Sequence, residues 1–371
     1  MASQRARTFY EFFAGGGMAR LGFGDAWTCA FANDFDPLKA AAYRDNHGGD
    51  HFREGDVFAL TPDDLPGEAD LAWASSPCQD FSLAGARAGL AGGRSSAFFG
   101  FWKLIEGLGA QGRAPRIVVV ENVVGLFTSN GGADFTALCQ ALSEQGYRFG
   151  ALEIDAARFT PQSRPRVFVV AVRGAPPPSL TGESVFSTRA VRQARDRLPV
   201  ALRRHWIDWR LAAPPARNAD LASVLELDAP CRPAEDTDRL LALMAPAHRA
   251  RLADAGERIV GAVFRRMRGD AQRAEVRTDG LAGCLRTPRG GSSRQMLVIA
   301  EKGEIRSRLI TPREGARLMG LPETYRLPHR ATAAMHVIGD GVAVPVVRWL
   351  SERLLTPLSD ALNDAESNVA A

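Results

Sequence analysis

The chain contains 371 residues, of which 46% are hydrophobic and 24% are charged. This composition excludes disordered, collagen-like and coiled-coil proteins, and the length predicts one large and one smaller domain. The five cysteines form no CxxC pair and no disulfide framework, which favours a reducing compartment. No window of about 18 apolar residues occurs, so we expect a cytoplasmic protein that is neither secreted nor embedded in a membrane.

The formal net charge of +4 is unevenly distributed along the chain. Residues 174–300 contain 21 Arg against 14 Asp and Glu, a net of +7, which leaves 25 basic and 28 acidic residues elsewhere. A basic segment on a near-neutral scaffold is typical of a polyanion-binding module, because neutralised phosphates release counterions. The alternative is a genome that favours arginine, since Lys39, Lys103 and Lys302 are the only lysines.

The first 172 residues alternate short apolar runs with amphipathic stretches, the pattern of βαβ units and a mostly parallel sheet. The predicted strands are Thr8–Phe13, Thr28–Asn33, Leu71–Ser75, Arg116–Glu121 and Val167–Val172. The predicted helices are Ala19–Asp25, Pro37–Asn46, Ala97–Leu108 and Phe135–Gln145. Because chemistry in such sheets collects at the carboxyl ends of strands, the clusters that follow these strands are the candidate site.

The sequence after residue 173 has a different character. Gly174-Ala-Pro-Pro-Pro178 cannot continue a central strand or helix and marks a candidate domain boundary. Residues 175–300 are rich in arginine and lack the alternation, which predicts an irregular domain. Thr311, Pro312 and Glu314 form a capping-box signal for a helix start. Residues 359–371 are polar and rich in alanine, and we expect a disordered tail there.

Glycines follow the first predicted strand in the segment Phe13-Ala-Gly-Gly-Gly-Met18. Glycines at a strand-to-helix turn let the backbone approach a ligand, although a tight structural turn is the alternative. Asp34 lies about 20 residues further on, where nucleoside-binding folds hold a ribose hydroxyl. Asp56 suits an adenine amino group, with Phe35 and Val57 as apolar walls. Each acid taken singly also suits a solvated helix cap.

A lone cysteine lies in the loop after the strand predicted at Leu71–Ser75. Pro77 stiffens the turn before Cys78, and a loop at a strand end places the sulfur where a thiolate can form. An inert buried cysteine is the alternative. The glycine-rich run Ala84–Ser96 predicts a lid that closes over substrate.

A carboxylate and two guanidinium groups are predicted at the same sheet edge. Glu121 follows an apolar strand, whose burial favours the protonated carboxyl, and Arg164 and Arg166 precede the next strand. Structural ion pairs are the alternative. Together with Cys78 these groups suit one reaction type, in which a thiolate adds to an electron-poor ring, an acid protonates a ring nitrogen and arginine stabilises the adduct.

The linear order of these motifs resembles the DNA (cytosine-5) methyltransferase family, whose members use S-adenosylmethionine. The matching segments are Phe13-Ala-Gly-Gly-Gly, Asp34-Phe35, Gly55-Asp56, Pro77-Cys78-Gln79-Asp-Phe-Ser82, Glu121-Asn-Val, Gln162-x-Arg164-x-Arg166, Arg308-x-Ile-Thr-Pro-Arg-Glu314 and Gly339-Asp-Gly-Val-Ala-Val-Pro345. They cover roughly residues 8–173 and 280–352 without circular permutation. The middle segment matches only as the family's variable target-recognition region.

The resemblance implies an α/β fold with a Rossmann-like S-adenosylmethionine methyltransferase large domain. A smaller, irregular target-recognition domain would complete it, with a DNA cleft between the two. The catalytic domain would be discontinuous and comprise residues 1–174 and 328–358, while residues 175–327 would form the target-recognition domain and hinge.

The resemblance also implies residue roles. Cys78, with Pro77 before it, would add to C6 of a cytosine flipped out of the duplex, and Glu121 would protonate N3 while the methyl group passes to C5. Arg164 would steady Glu121 and the base, and Arg166 would support the loop or the base. The cofactor site would be lined by Phe13, Ala14, Gly15, Gly16, Gly17, Met18, Asp34, Phe35, Asp56, Val57, Ala97, Asp340 and Gly341. No metal ligand is implied.

Two positions depart from the family pattern. Ser76 stands where a second proline is usual, which weakens the prediction of a rigid loop. Asp340 stands where an asparagine is usual, and its carboxylate would repel the cofactor's carboxylate or favour its ammonium group.

Base recognition is predicted in loops that carry arginine and polar side chains. Arginine reads guanine in the major groove, so these loops are compatible with a GC-containing site, and a merely solvated loop is the alternative for the arginines after residue 285. The predicted DNA contacts are Gln79, Ser82, Arg94, Arg286, Arg289, Arg294 and Gln295.

The sequence therefore predicts a monomeric enzyme that methylates double-stranded DNA near the nucleoid. It would be either a solitary regulatory enzyme or one paired with a restriction endonuclease without stable association. An RNA cytosine-5 methyltransferase and a noncatalytic DNA-binding relative are the alternatives. The long basic insert favours DNA over RNA, and the set of Cys78, Glu121 and Arg164 favours turnover.

Overall fold

The computed structural model describes residues 6–76, 97–287 and 294–370. The chain forms two compact units. The first comprises Met1–Ile154, Pro165–Pro214 and Val346–Ala371, and the second comprises Asp155–Arg164 and Pro215–Pro345. These boundaries differ from the predicted ones, because residues 175–214 belong to the first unit, and residues 155–164 and 328–345 belong to the second.

A seven-stranded sheet forms the centre of the first unit. Its strands are β1 (Thr8–Phe12), β2 (Thr28–Asp34), β3 (Phe52–Glu54), β4 (Leu71–Ala74), β5 (Ile117–Val123), β6 (Arg148–Asp155) and β7 (Pro165–Val172). The strand order is β3-β2-β1-β4-β5-β7-β6. Strands β1 to β5 pair in parallel and β7 runs antiparallel to β5, so the carboxyl ends of β1, β2, β4 and β5 meet at one edge.

Helices follow the strands, as the sequence predicts. Those of the first unit before the arginine-rich segment are α1 (Met18–Phe23), α2 (Pro37–His47), α3 (Ala97–Ala110) and α4 (Ala133–Glu144). In α2, the side chain of the N-cap residue Asp36 accepts from the backbone N–H groups of Leu38 and Lys39, and Pro37 occupies the first helical position. The aromatic side chains of α3 fill the core beneath the sheet, where Phe98 and Phe101 are fully buried.

Two helices of the arginine-rich segment, α5 (Arg189–Arg197) and α6 (Val200–Arg203), also belong to the first unit. The backbone around them pairs with β6, an outer strand of the sheet. Phe149 donates to the His205 carbonyl at 3.0 Å, and the Ile207 amide donates to the Phe149 carbonyl at 2.7 Å. This pairing satisfies backbone groups that an uncovered edge strand leaves open, which explains why the segment joins the first unit.

The second unit contains a four-stranded antiparallel sheet. Its strands are β8 (Ile259–Arg268), β9 (Ala271–Arg277), β10 (Met296–Glu301) and β11 (Glu304–Leu309), in the order β11-β10-β8-β9. Its helices are α7 (Ala234–Ala242), α8 (Pro246–Ala253), α9 (Pro312–Leu318) and α10 (Ala331–Asp340). Residues 175–300 lack the strand–helix alternation, as the sequence predicts, but they contain regular elements, because β8 and β9 form a hairpin that buries Ala274 and Val276.

The predicted helix start at Thr311 is confirmed. The Thr311 hydroxyl accepts from the Glu314 backbone, and the Glu314 carboxylate accepts from the Thr311 backbone. Glu314 is also buried against Arg308, whose Nη1 donates to its Oε2 at 2.7 Å. A single side chain therefore closes the helix cap and neutralises a buried arginine.

The chain ends in helices instead of the predicted tail. Helix α11 (Val344–Leu350) is followed by a π-helical turn, Ser351–Leu355, and by α12 (Thr356–Ala370). Ser359 and Leu362 are buried, so packing against the first unit orders a segment whose composition suggests disorder. The helical stretch Ala331–Ala365 is long and apolar enough to cross a membrane by composition, but 61% of its most apolar window is buried inside the protein. That burial is typical of a core helix.

Candidate functional site

A left-handed turn connects β1 to α1 at the carboxyl edge of the sheet. Phe13 has φ of 57°, Gly15 of 56° and Gly17 of 76°. A non-glycine residue in this region is uncommon and marks a turn held by its surroundings. Two backbone hydrogen bonds hold the turn. The Ala14 amide donates to the Asn33 carbonyl of β2 at 3.0 Å, and within the turn the Gly17 amide donates to the Ala14 carbonyl at 2.9 Å.

Asp34, at the end of β2, ties this turn to the neighbouring strand. One carboxylate oxygen accepts from the Gly15 amide at 2.8 Å and the other from the Asp36 amide at 2.9 Å. Burial raises the pKa of Asp34, while Lys39 and these two amides act in the opposite direction. Asp34 therefore sets the position of the turn relative to β2.

Exposed aromatic rings lie on the same edge. Phe35 is 65% exposed and Phe58 is 45% exposed, while Val57 between them in sequence order is buried. A groove of about 330 Å³ lies between Val57–Pro62 and α3, where Gly100, Leu104 and Gly107 line it. The residues that line this groove do not include Phe35 or the glycine turn. The exposed Phe35 ring is the kind of apolar surface that suits a ligand with a flat apolar part.

The other predicted cofactor residues divide between the units. Asp56 is exposed and caps the following turn by accepting from the Phe58 amide at 3.0 Å, Met18 is buried in α1, and Ala97 begins α3. Asp340 and Gly341 belong to the second unit, where the Thr287 hydroxyl donates to the Asp340 carboxylate.

A buried polar cluster supports the glycine turn from beneath, and the sequence interpretation missed it. The Tyr43 hydroxyl lies 3.0 Å from Nε2 of His51 and accepts from Arg20 at 3.3 Å. The His47 ring packs so closely on Gly17 that a side chain there would come within 2.3 Å of it. Burial and the Arg20 cation lower the pKa of His47 to about 4, so this ring is neutral at physiological pH.

Glu11 is the acidic member of this cluster. It lies in the middle of β1 and is 1% exposed, and its Oε2 has no hydrogen-bond partner among the residues that the structure describes. Burial raises the pKa of Glu11 to about 8, although the Arg20 side chain and backbone favour the charged form. The signal in the sequence was a carboxylate inside an apolar strand, Thr-Phe-Tyr-Glu-Phe-Phe.

We expect the Glu11→Gln substitution to remove a pH-dependent loss of stability. A carboxyl whose pKa is about 8 when folded and 4.5 when unfolded holds its proton more tightly in the folded protein. The contribution of the Glu11 carboxyl to the free energy of unfolding is therefore fully present below about pH 4.5, and it is lost as the pH rises towards 8. In urea unfolding, the variant should gain free energy of unfolding relative to the parent protein as the pH rises. A difference that does not change with pH would contradict the assignment.

Glu121 lies on β5 at the same edge of the sheet and is 7% exposed. Its Oε1 is 3.2 Å from Nε of Arg166. The antiparallel register places Arg166 opposite Val123, which is two residues beyond Glu121 on the same face. A long side chain reaches such a diagonal neighbour, so the strand pairing itself creates this ion pair.

Asn122, on the opposite face of β5, fixes the beginning of the cysteine loop. Its amide donates to the Ser76 carbonyl at 3.0 Å and to the Ser76 hydroxyl at 3.3 Å. Ser76 is buried, and the described part of the chain stops there before resuming at Ala97. The predicted site residues Pro77, Cys78, Gln79, Ser82, Arg94 and Arg289 lie outside the described residues.

Arg164 binds backbone carbonyls of the second unit. It is 2% exposed and donates to the backbone carbonyls of Leu285 at 2.8 Å, Gly339 at 2.9 Å and Gly341 at 2.6 Å. Its own backbone N–H donates to Asp155 at 2.7 Å. The predicted role of Arg164 in steadying Glu121 and the base stays a prediction, and Arg166 forms an ion pair with Glu121.

The DNA-contact candidates that the structure describes differ in their exposure and in their hydrogen-bond partners. Arg286 is exposed. Arg294 donates to the Ile310 carbonyl at 3.3 Å. The amide of Gln295 donates to the Val263 carbonyl at 2.9 Å and accepts from the Gly283 amide at 3.2 Å. Gln295 thus stabilises its own unit, and its predicted contact with DNA stays a prediction.

A sheet of this strand order, with a glycine turn and a carboxylate at its carboxyl edge, is that of a Rossmann-like methyltransferase. The family model for C-5 cytosine-specific DNA methylases matches residues 7–356. The chain therefore belongs to this family and is a DNA cytosine methyltransferase.

Relatives of known type match along most of the chain. Type II methyltransferase M.NlaX of Neisseria lactamica is 27% identical over 353 residues, which cover 94% of this chain and 96% of the relative. M1.ScrFI of Lactococcus lactis subsp. cremoris is 25% identical over 351 residues, which cover 94% of this chain and 78% of the relative. Among solved structures, the S. pombe Dnmt2 methyltransferase has a TM-score of 0.63 at 18% identity. The match covers 95% of this chain and 99% of that protein, and it shows a shared fold.

Proposed function

We propose that this enzyme methylates C5 of a cytosine flipped out of duplex DNA, with S-adenosylmethionine as the methyl donor. The observation that carries the proposal is the Glu121–Arg166 ion pair beside the anchored start of the cysteine loop. Covalent connectivity limits the separation of Ser76 and Cys78 to two residue steps, about 7 Å of chain. The proposal therefore takes its nucleophile from the residue two positions after the anchored Ser76, and its acid from β5.

In this proposal each residue has one task. The thiolate of Cys78 adds to C6 of the cytosine ring, and Glu121 donates a proton to N3, where the negative charge gathers. Arg166 holds the Glu121 carboxyl in place through its Nε. Arg164 is a positioning residue that binds the backbone at Leu285, Gly339 and Gly341 together.

The glycine turn and its surroundings fit a nucleoside cofactor. A Cβ atom at Gly15 would meet no atom of the described residues within 4 Å beyond its chain neighbours, which supports a ligand approaching the turn there. Phe35 and Val57 offer the apolar surface that an adenosyl group needs, with Asp34 and Asp56 as hydrogen-bond acceptors. When bound there, S-adenosylmethionine supplies an electrophilic methyl group.

We expect Gly15→Ala to weaken S-adenosylmethionine binding by about tenfold or more, equivalent to about 1.4 kcal/mol. The added methyl group would occupy the space through which the ligand approaches the backbone. Gly112→Ala is the control, because Gly112 has φ of 74° and an equally open Cβ position among the described residues, in the connection between α3 and β5. Both substitutions place a side chain at a positive φ, which costs about 1–2 kcal/mol. Equal dissociation constants by calorimetry for the two variants would contradict a cofactor site above Gly15.

The proposed function is tested by expressing the protein in a host that lacks cytosine methylation. Mapping 5-methylcytosine at base resolution should give one recurring methylated motif in the genomic DNA. Methylation of tRNA with unmodified DNA would favour an RNA substrate instead. If neither nucleic acid is modified by protein that binds the cofactor, the chain is a noncatalytic relative.

We further propose that the enzyme acts in the cytoplasm as a monomer, within a restriction-modification system or alone. The type II relatives support a partnership with an endonuclease that recognises the same site. Protection of host DNA against cleavage at the mapped motif would identify the matching endonuclease specificity.

A further inference from the structure

An arginine-rich surface lies on the first unit, on residues that have no role in the site described above. We call residues 183–210 the edge segment, because they cover the outer strand β6 of the sheet. The edge segment contains seven arginines and three acidic residues. The sequence predicts that it belongs to the target-recognition domain, but it packs with the catalytic unit.

The charge of the edge segment points outward. The exposed arginines are Arg189, Arg192, Arg197, Arg203, Arg204 and Arg210. Of the seven, only Arg195 forms an ion pair with a residue in the described part of the chain, through Asp196 and Asp208. In α5 the apolar Val191 and Ala194 face inward, so Arg189, Arg192 and Arg197 share the solvent side.

This surface is rigidly attached. The Thr188 hydroxyl caps α5 and also donates to Glu153 of β6, and the Glu153 amide donates to the Phe186 carbonyl at 3.0 Å. The Trp209 indole donates to the Val170 carbonyl at 3.0 Å. Gly150 permits the close approach, since any side chain there would collide with the Ile207 carbonyl.

The edge segment is also connected to the catalytic edge. Helix α5 packs against the turn Val124–Phe127, which directly follows Glu121 and Asn122 on β5. Val191 and Leu198 share one core with Phe127 and Phe135. The arginines are therefore held at a fixed distance from the carboxylate that the reaction uses.

We infer that the exposed arginines of the edge segment bind the phosphate backbone of duplex DNA beside the target cytosine. The inference rests on the proposed DNA substrate. Arginine donors suit phosphate oxygens, and the three on α5 span about 12 Å of helix axis, enough to contact several phosphates of one strand. Contacts of this kind carry no base specificity, so they add affinity and orientation to any recognition by the second unit.

The test compares two triple variants of the full chain. Arg189→Gln, Arg192→Gln and Arg197→Gln together remove the α5 charges. The control, Arg53→Gln, Arg348→Gln and Arg353→Gln, removes equal charge from exposed arginines of the same unit. Dissociation constants for a random-sequence duplex are measured over a salt series, with thermal unfolding to show that both variants fold. A lost phosphate contact reduces the slope of log affinity against log salt by about 0.9.

We expect the α5 variant to have a slope shallower by about 2 to 3 and the control to match the parent protein. Equal slopes for the α5 variant and the control would overturn the inference. So would a loss of binding to structured RNA with unchanged binding to duplex DNA. Failure of the proposed function is a separate result, because it would appear in the parent protein as genomic DNA without 5-methylcytosine.

Discussion

Replacing Cys78 by serine should abolish DNA methylation while leaving DNA binding intact. A serine hydroxyl is nearly the same size as the thiol but does not ionise near neutral pH, so the proposed addition to C6 loses its nucleophile. The measurement is incorporation of a labelled methyl group into a duplex that carries the mapped motif, together with the dissociation constant for that duplex. Methylation that persists in the variant would refute Cys78 as the nucleophile.

The control for this substitution is Cys231→Ser. Cys231 is free and exposed, so its replacement changes a thiol without disturbing a core. Cys29 is unsuitable as a control, because it is buried and burial raises the pKa of its thiol to about 12. A duplex with 5-fluorocytosine at the target position gives a second measurement. Since fluorine cannot leave as the C5 proton does, the parent protein should remain covalently attached and the Cys78→Ser variant should not.

The Glu121→Gln substitution should lower kcat by about 10²- to 10⁴-fold, the usual contribution of a positioned general acid. Glutamine preserves the shape of the side chain and an oxygen that accepts from Arg166, so the strand pairing around it should persist. The proton for N3 is what the variant lacks. Steady-state kinetics should therefore show a fall in kcat with a smaller change in the KM for DNA.

Glu144→Gln is the matched control, because Glu144 is a carboxylate on α4 at the helix end, away from the sheet edge. An unchanged kcat in Glu121→Gln would remove Glu121 from the proposed reaction. Arg166→Ala adds a further comparison, since it leaves the carboxyl in place and removes its ion-pair partner. We expect it to lower kcat as well, whereas Arg53→Gln on the surface should not.

Much of the sheet was predictable because its signals are local. All five predicted strands exist, and the four predicted helices begin within two residues of the predicted positions. Strand β6 was missed because its apolar residues flank Gly150, which weakens a strand signal. Only the close approach of the Ile207 carbonyl explains the glycine there. The helix Thr356–Ala370 was missed because its polar composition conceals the buried Ser359 and Leu362.

The candidate chemistry at the sheet edge could be predicted from short stretches of sequence. A glycine turn, an acid after an apolar strand and a proline–cysteine pair are each encoded within a few adjacent residues, and their linear order identified the family. The tertiary structure decided which partner each group has. Arg164 and Arg166 are two residues apart, and no local signal separates them. The register of β7 against β5 brings the Arg166 side chain next to the Glu121 carboxylate. Arg164 precedes β7 and belongs to the second unit.

The tertiary structure also decided where the positive charge lies. Composition located an arginine excess within residues 174–300 but could not assign it to one unit. Backbone hydrogen bonding to β6 attaches residues 183–210 to the catalytic unit, because an outer strand needs partners for its open N–H and C=O groups. Such pairing joins residues more than 50 positions apart, from Phe149 to Ile207, and depends on contacts that no short stretch of sequence specifies.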